Sequence, residues 1–320
     1  VTRLLTPADV ARAAGLIADH VVRTPLVPSP QPGLWLKLEC QQRSGAFKAR
    51  GAYAALSALT PGQRSRGVVT HSSGNHGRAL AEAAAALRCP VTVVVPDTAP
   101  PHKLAAVRAA GAEVEVVPAA EREQAAAAHV RHGAVLVPPF DHDDVIAGQG
   151  TVGAEVLAQA AEQGVRVVQV LAPVGGGGLV SGIAVALATA PVAVVGVEPD
   201  LAADLVEGLR RGRRVAWPVE RTSRTVADGL RLPAVGLRPW AHIRALGVTA
   251  CTVSEAEIVA AQAWLASAGV VAEPSGAVAV AAARRLPAPA GAGEVRVAVV
   301  SGGNVAPAAA PSTLEVDPRE

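Results

Sequence analysis

Short valine-rich runs alternate with longer amphipathic stretches along most of this chain. Runs of strand length predict strands at 67–71, 91–95, 113–117 and 134–137. Helical periodicity between them predicts helices at 75–88 and 101–110 and a third ending near 131. The theme returns with strands at 165–171, 192–197, 248–253 and 294–300 and helices at 179–189, after 197, at 254–267 and at 274–285. Alternation at this pitch places crossover helices over parallel sheets. Upstream, Thr6-Pro7-Ala8-Asp9 supplies a hydroxyl N-cap, a proline at the first helical position and a carboxylate in the first turn, so a helix is expected to 19. Pro25, Pro28, Pro30 and Pro32 are expected to exclude regular structure, 34–39 alternates like a strand, and a Ser44-Gly45 turn opens a helix over 46–59. Pro138-Pro139 and the acidic turn Asp141-His142-Asp143-Asp144 interrupt the rhythm, which suggests a passage between two lobes. An Arg/Pro-rich stretch over 210–239 is expected to be irregular, and Glu257 completes a capping box with Ser254.

Composition narrows the classes. Half of the 320 residues are hydrophobic and 18% are charged, which supports a sizeable core and excludes global disorder. With four Trp, two Phe and one Tyr, alanine and valine must fill the interior. The net charge is +2 with no basic tract, which argues against nucleic acid as a partner. No run of about 18 uncharged apolar residues and no basic-then-apolar leader is seen, so neither a membrane span nor a signal peptide is expected. Cys40, Cys89 and Cys251 are far apart and not in metal-ligand spacing; they read as reduced thiols of a cytoplasmic protein.

Among 29 basic residues only Lys37, Lys48 and Lys103 are lysines. Lys48 sits among small and apolar neighbours in Ser44-Gly45-Ala46-Phe47-Lys48-Ala49-Arg50-Gly51-Ala52. An amine that loses solvation has a lowered pKa, and a neutral amine can form a Schiff base with an aldehyde. Gly175, Gly176, Gly177 and Gly178 follow a strand and precede a helix, a loop whose backbone N–H groups can converge on a phosphate. It is neither a dinucleotide fingerprint nor a P-loop, so a simple phosphate monoester fits better; the plainer reading is a tight turn. His71-Ser72-Ser73-Gly74-Asn75-His76-Gly77 joins a strand end to a helix start, where ligands of open parallel sheets bind, and forms a cradle for a carboxylate or an ordinary N-cap. Ser301-Gly302-Gly303-Asn304 follows the last strand similarly, as a turn or as a hydroxyl facing a heterocycle nitrogen. Glu198 and Asp204 flank the Ala202 carbonyl, a set that suits Mg²⁺ or Ca²⁺ or merely an acidic helix start.

Taken together, SGAFKARGA, SSGNHG, IAGQGT, PVGGGGL, VGVEP, EPSGA and SGGN resemble the motifs of the serine/threonine dehydratase and serine racemase family of pyridoxal-phosphate enzymes, of the tryptophan-synthase-β fold type. The likeness covers nearly the whole chain in the right order. It implies an α/β fold of two lobes, each an open, mostly parallel twisted sheet flanked by helices, with pyridoxal 5'-phosphate in the cleft. Residues 1–60 and 146–320 would form a large cofactor-binding domain and 61–145 a small mobile one, without an allosteric regulatory domain. Lys48 would be the Schiff-base lysine with Phe47 beside the ring. Gly175, Gly176, Gly177, Gly178 and Leu179 would hold the phosphate. Asn75 would bond the ring's phenolic oxygen, and Ser301 would face its nitrogen. Ser72, Ser73, Asn75 and His76 would receive the substrate carboxylate, and Glu198, Ala202 and Asp204 a divalent cation.

The implied reaction is loss of water from L-threonine or L-serine, giving a 2-keto acid and ammonia, with Lys48 moving the Cα proton. A neutral serine at the ring nitrogen suits elimination rather than transamination. Ser73 matches the acid/base serine of the racemases, while Phe140 is more like the threonine dehydratases. Serine racemase and threo-3-hydroxyaspartate dehydratase are the nearest alternatives. A phosphate-binding module without catalysis is a reading of another class, which has no use for a desolvated amine. The resemblance further implies a homodimer acting on a small amino acid.

Overall fold

The computed structural model describes residues 3–72 and 74–305, residues 102 and 103 by backbone only. Ser73 and the Pro/Ala tail after Val305, expected from composition to be loose, lie outside the described residues. The strands are β1 (Leu26–Pro28), β2 (Leu34–Lys37), β3 (Val68–Thr70), β4 (Val91–Pro96), β5 (Glu113–Val117), β6 (Val135–Leu136), β7 (Arg166–Pro173), β8 (Ala193–Pro199), β9 (Thr249–Val253) and β10 (Glu294–Val299). They form a six-stranded sheet in the order β1-β2-β10-β7-β8-β9 and a four-stranded sheet in the order β5-β4-β3-β6. Every pairing is parallel except β1 with β2. Parallel strands need crossovers, and helices on both faces cover them, so strands such as β4 and β8 are apolar almost throughout. The motifs at 71–77, 175–178, 200–204 and 301–304 all follow strand C-terminal ends, where open α/β sheets bind ligands.

Three expectations need correction. The proline-rich stretch does form a strand: β1 pairs antiparallel at the sheet edge, with Pro28 opposite Trp35. An edge strand tolerates proline because its outward N–H has no ladder partner to lose. The residues after the acidic turn form the longest helix, Asp143–Glu162, where the sequence pattern showed none. Gly148, Gly150 and Gly153 lower its intrinsic propensity, and packing overrides that. A Cβ on Gly148 would lie 2.6 Å from the Arg50 carbonyl oxygen, one on Gly150 2.7 Å from that of Gly182, and one on Gly182 2.3 Å from that of Ile146. The helices Lys48–Ser57, Asp143–Glu162 and Gly178–Ala186 therefore approach backbone to backbone. The stretch expected to be irregular likewise carries the start of a helix, Leu237–Ala245.

Alanine and valine fill the core, and Tyr53 is the one buried aromatic among the described residues. Small side chains give many close, rigid contacts, so added volume has nowhere to go. Gly182→Ala is expected to destabilise by about 1–3 kcal/mol, read as a lower melting temperature. An unchanged melting temperature would mean that the two helices can slide apart.

Candidate active site

Lys48 begins the helix Lys48–Ser57. Two left-handed residues precede it, Ser44 at φ 61° and Gly45 at φ 72°. Gly45 is required twice over, because a Cβ there would also lie 2.3 Å from Asn304 Oδ1. The turn is stitched to the loop after β10. Ala46 bridges Gly302, the Phe47 N–H donates to the Ser301 carbonyl at 3.0 Å, and Asn304 Nδ2 donates to the Ser44 carbonyl at 2.7 Å.

The Lys48 amine donates to the Pro139 carbonyl at 2.8 Å and lies 5.0 Å from the Phe47 ring centre. Burial pulls its pKa down to about 8. A carbonyl acceptor holds the amine in place without the charge that would keep it protonated.

Pro139 leads into Phe140, whose ring walls the glycine loop. A Cβ on Gly176 would lie 2.1 Å from Phe140 Cγ, and one on Gly178 3.1 Å from Phe140 Cβ. One on Gly175 would meet Leu230 Cα at 3.2 Å, and one on Gly177 would meet Pro239 and Val235 at 2.9 Å. Gly177 adopts φ 83° and caps the helix Gly178–Ala186, whose first-turn N–H groups have no intrahelical acceptor. Leu179 is buried in the core behind the loop.

Across the cleft, Asn75 starts the helix Asn75–Ala86. Its amide donates to Glu273 Oε1 at 2.6 Å and accepts from Asn304 Nδ2 at 2.9 Å, while Arg78 donates to Asn304 Oδ1 at 3.1 Å. Ser301 is buried, and its hydroxyl has only a long 3.5 Å contact to the Ser275 carbonyl, so it can serve another partner. Ser72 lies partly buried beside this helix start, and Gly77 is required because a Cβ would fall 1.8 Å from the Ser72 carbonyl oxygen.

His76 is buried, and its Nε2 lies 3.0 Å from the Val137 carbonyl. A carbonyl only accepts, so Nε2 carries the hydrogen and Nδ1 is a bare acceptor without a partner. Burial, and then the nearby Lys48 charge, push its pKa down to about 3. The neutral ring therefore has no N–H to offer a carboxylate; only the backbone of His76 has one.

Glu198 ends β8 and accepts the Leu205 and Val206 N–H groups at 3.0 and 2.8 Å, capping the helix Asp204–Arg211. Asp204 accepts the Val235 N–H at 2.8 Å, and Val235 is the side chain that walls Gly177. Burial and then the Asp204 charge raise the Glu198 pKa well above the carboxylate range; burial raises that of Asp204 to about 7. Ala202 is buried between them in sequence. Among the described residues no group of three or more His, Cys, Asp or Glu side chains is placed to hold a metal.

Contacts through Pro139, Phe140, Asn304 and the Ser301 carbonyl thus link Lys48, Phe47, Asn75, Ser301 and the glycine loop, while Asp204 reaches that loop through Val235 and Glu198 caps the helix that Asp204 begins. The Pro139 carbonyl and the Asn304 clamp escaped the sequence reading; a backbone acceptor leaves no mark on residue type. These groups offer a glycine loop with no room for side chains, helix N–H groups without intrahelical acceptors and an amine bonded to a carbonyl, which suits a phosphate-bearing aldehyde.

The chain belongs to the pyridoxal-phosphate dependent enzyme family, whose pattern it matches over residues 17–302. It is 38% identical to the L-threo-3-hydroxyaspartate ammonia-lyase of Saccharomyces cerevisiae, over 84% of either chain. It is also 38% identical to the L-threonine ammonia-lyase of Thermotoga maritima, over 94% of this chain and 76% of that one. The crystal structure of serine racemase from Dictyostelium discoideum superposes with a TM-score of 0.86 at 32% identity, covering 94% of this chain and 99% of that one. No helix among the described residues is long and apolar enough to cross a membrane.

Proposed function

We propose that this protein is an L-threonine/L-serine ammonia-lyase that removes water from a β-hydroxy-α-amino acid and releases a 2-keto acid and ammonia. The observation that carries it is the Lys48 amine, buried without a carboxylate and pinned by Pro139 next to the glycine cradle. Likeness to the Thermotoga maritima L-threonine ammonia-lyase supports the substrate class. Bound pyridoxal phosphate supplies an electron sink for the Cα–H bond.

The chain's own residues do the rest. Gly175, Gly176, Gly177, Gly178 and Leu179 would hold the phosphate, Phe47 would pack beside the ring, Asn75 would bond its phenolic oxygen and Ser301 would meet its nitrogen. The Ser72 and Ser73 hydroxyls and the N–H groups at the start of the Asn75–Ala86 helix receive the substrate carboxylate; His76 contributes its backbone. Lys48 Nζ, neutral when released, takes the Cα proton. Ser73 is the acid/base on the other face in a racemase reading, so Ser73→Ala is expected to remove any racemisation while elimination persists, read by chiral separation of serine.

A panel of L-threonine, L-serine and L-threo-3-hydroxyaspartate tests the substrate by keto-acid release. Turnover of hydroxyaspartate alone would replace this reading by the activity named for the yeast relative. A phosphate-binding module would turn over none of them. Residues 61–145 are proposed to close over the substrate against 1–60 and 146–320, and the working form to be a cytoplasmic homodimer, tested by light scattering.

Glu198, the Ala202 carbonyl and Asp204 are proposed to hold Mg²⁺ or Ca²⁺. Two buried acids with raised pKa values are what a dication relieves, and the site braces Val235 against Gly177. EDTA is expected to lower the melting temperature, with recovery on adding Mg²⁺ or Ca²⁺. Unchanged stability would leave Glu198 as a helix cap alone.

A further inference from the structure

Behind the lysine helix lies a buried ionic cluster that the reaction does not touch. Arg50 follows Lys48 by two positions, which turns its side chain to the opposite side of the helix, into the body of the protein. It is fully buried. Nε and Nη2 donate to the two Glu39 oxygens at 2.8 Å each; Nη1 and Nη2 donate to the two Glu155 oxygens at 2.6 and 2.8 Å. Nη1 also reaches Thr151 Oγ1 at 3.1 Å. Lys37, equally buried, spends its three hydrogens on Glu155 at 2.5 Å, the Thr24 carbonyl at 2.7 Å and Gln159 at 2.9 Å. Thr24 Oγ1 donates to Glu39.

Two cations and two anions are thereby balanced and fully bonded. Burying Lys37, Glu39 and Arg50 beside a partly exposed Glu155 is not an economical route to stability, since apolar residues of similar volume do as well or better. What the cluster does provide is geometry. It ties β2 through Lys37, the following turn through Glu39, the lysine helix through Arg50 and the helix Asp143–Glu162 through Glu155. That last helix begins at Asp143, and a short bent segment leads back from it to Phe140 and Pro139, so Glu155 and the carbonyl that holds the Lys48 amine lie on one continuous stretch of chain.

We infer that the Lys37–Glu39–Arg50–Glu155 cluster is a charge-balanced anchor that positions the Lys48 amine against the Pro139 carbonyl and the glycine cradle. Arg50 is its positioning residue, because only a planar fork can grip two carboxylates at once. The balance has its own consequence: two cations and two anions put no net charge behind Lys48, whose lowered pKa follows from burial. The inference rests on the reading of Lys48 as the reactive amine.

The test is the pH dependence of Lys48 acylation in the full-length, cofactor-free chain, read by mass spectrometry, alongside kcat and KM of the loaded enzyme. The wild-type midpoint is expected at about 8; a midpoint near that of an ordinary lysine would overturn the Lys48 reading itself. Arg50→Lys keeps the charge and loses the fork, so the midpoint stays and kcat falls about tenfold to a hundredfold with little change in KM. Arg50→Gln leaves one net negative charge and raises the midpoint by about one pH unit. If that variant does not fold, Glu155→Gln leaves one net positive charge and lowers the midpoint instead. Folded Arg50→Lys enzyme with wild-type kcat would overturn the positioning role. Charge variants with an unmoved midpoint would overturn the balance.

Discussion

Lys48→Ala is expected to abolish the visible absorption of the reconstituted protein and to cut keto-acid formation by about 10²–10⁴-fold, the contribution of a positioned proton-transfer group. Ala at this position keeps the helix start, since the backbone there is ordinary helix and the left-handed residues are Ser44 and Gly45. Circular dichroism and melting temperature should therefore stay close to wild type, which separates loss of chemistry from loss of fold. The same amine gives a pH signature. Burial lowers its pKa to about 8, so the charged, unreactive form prevails below that value and the neutral nucleophile above it. Cofactor uptake by the cofactor-free chain is expected to accelerate as pH rises towards 8 and to level off beyond it. Retention of colour and activity in Lys48→Ala, or an uptake rate indifferent to pH from 6 to 9 (about two units below and one above the midpoint), would remove Lys48 from the centre of this account.

The second large effect is expected from the glycine cradle. In Gly176→Ala the new methyl would occupy the place of the Phe140 ring, 2.1 Å from Cγ. Either the ring moves or the loop does, and both disturb the backbone N–H groups that would hold the phosphate. A loss of two to three hydrogen bonds to a charged group, at about 1.5–3 kcal/mol each, corresponds to at least a hundredfold weaker retention of pyridoxal phosphate, measured by dialysis and absorbance. Phe140→Ala combined with Gly176→Ala is expected to recover part of that affinity, because the clash is with this ring. Equal cofactor affinity in Gly176→Ala and wild type would mean that the loop does not hold the phosphate.

Most strands were legible because a buried parallel strand is written as a valine run. The capping box at Ser254 and Glu257 was legible because its two bonds are local, at 3.3 and 2.7 Å. The helix Asp143–Glu162 was not, since three glycines lower its local propensity and only close packing against Arg50 and Gly182 offsets that. The alternation over 34–39 marked a strand but not the fate of Lys37, which is wholly buried, its charge met by Glu155 from 118 positions away.

Residue type and order alone determined the alternation of strands and helices and the family, and singled out Lys48 as the candidate amine, because those depend on local periodicity and on short motifs. The tertiary structure decided which groups share that amine's surroundings. The Pro139 carbonyl, the Phe140 wall and the Glu155 partner of Arg50 come from segments about a hundred residues away, and such proximity follows from packing, which no local pattern encodes.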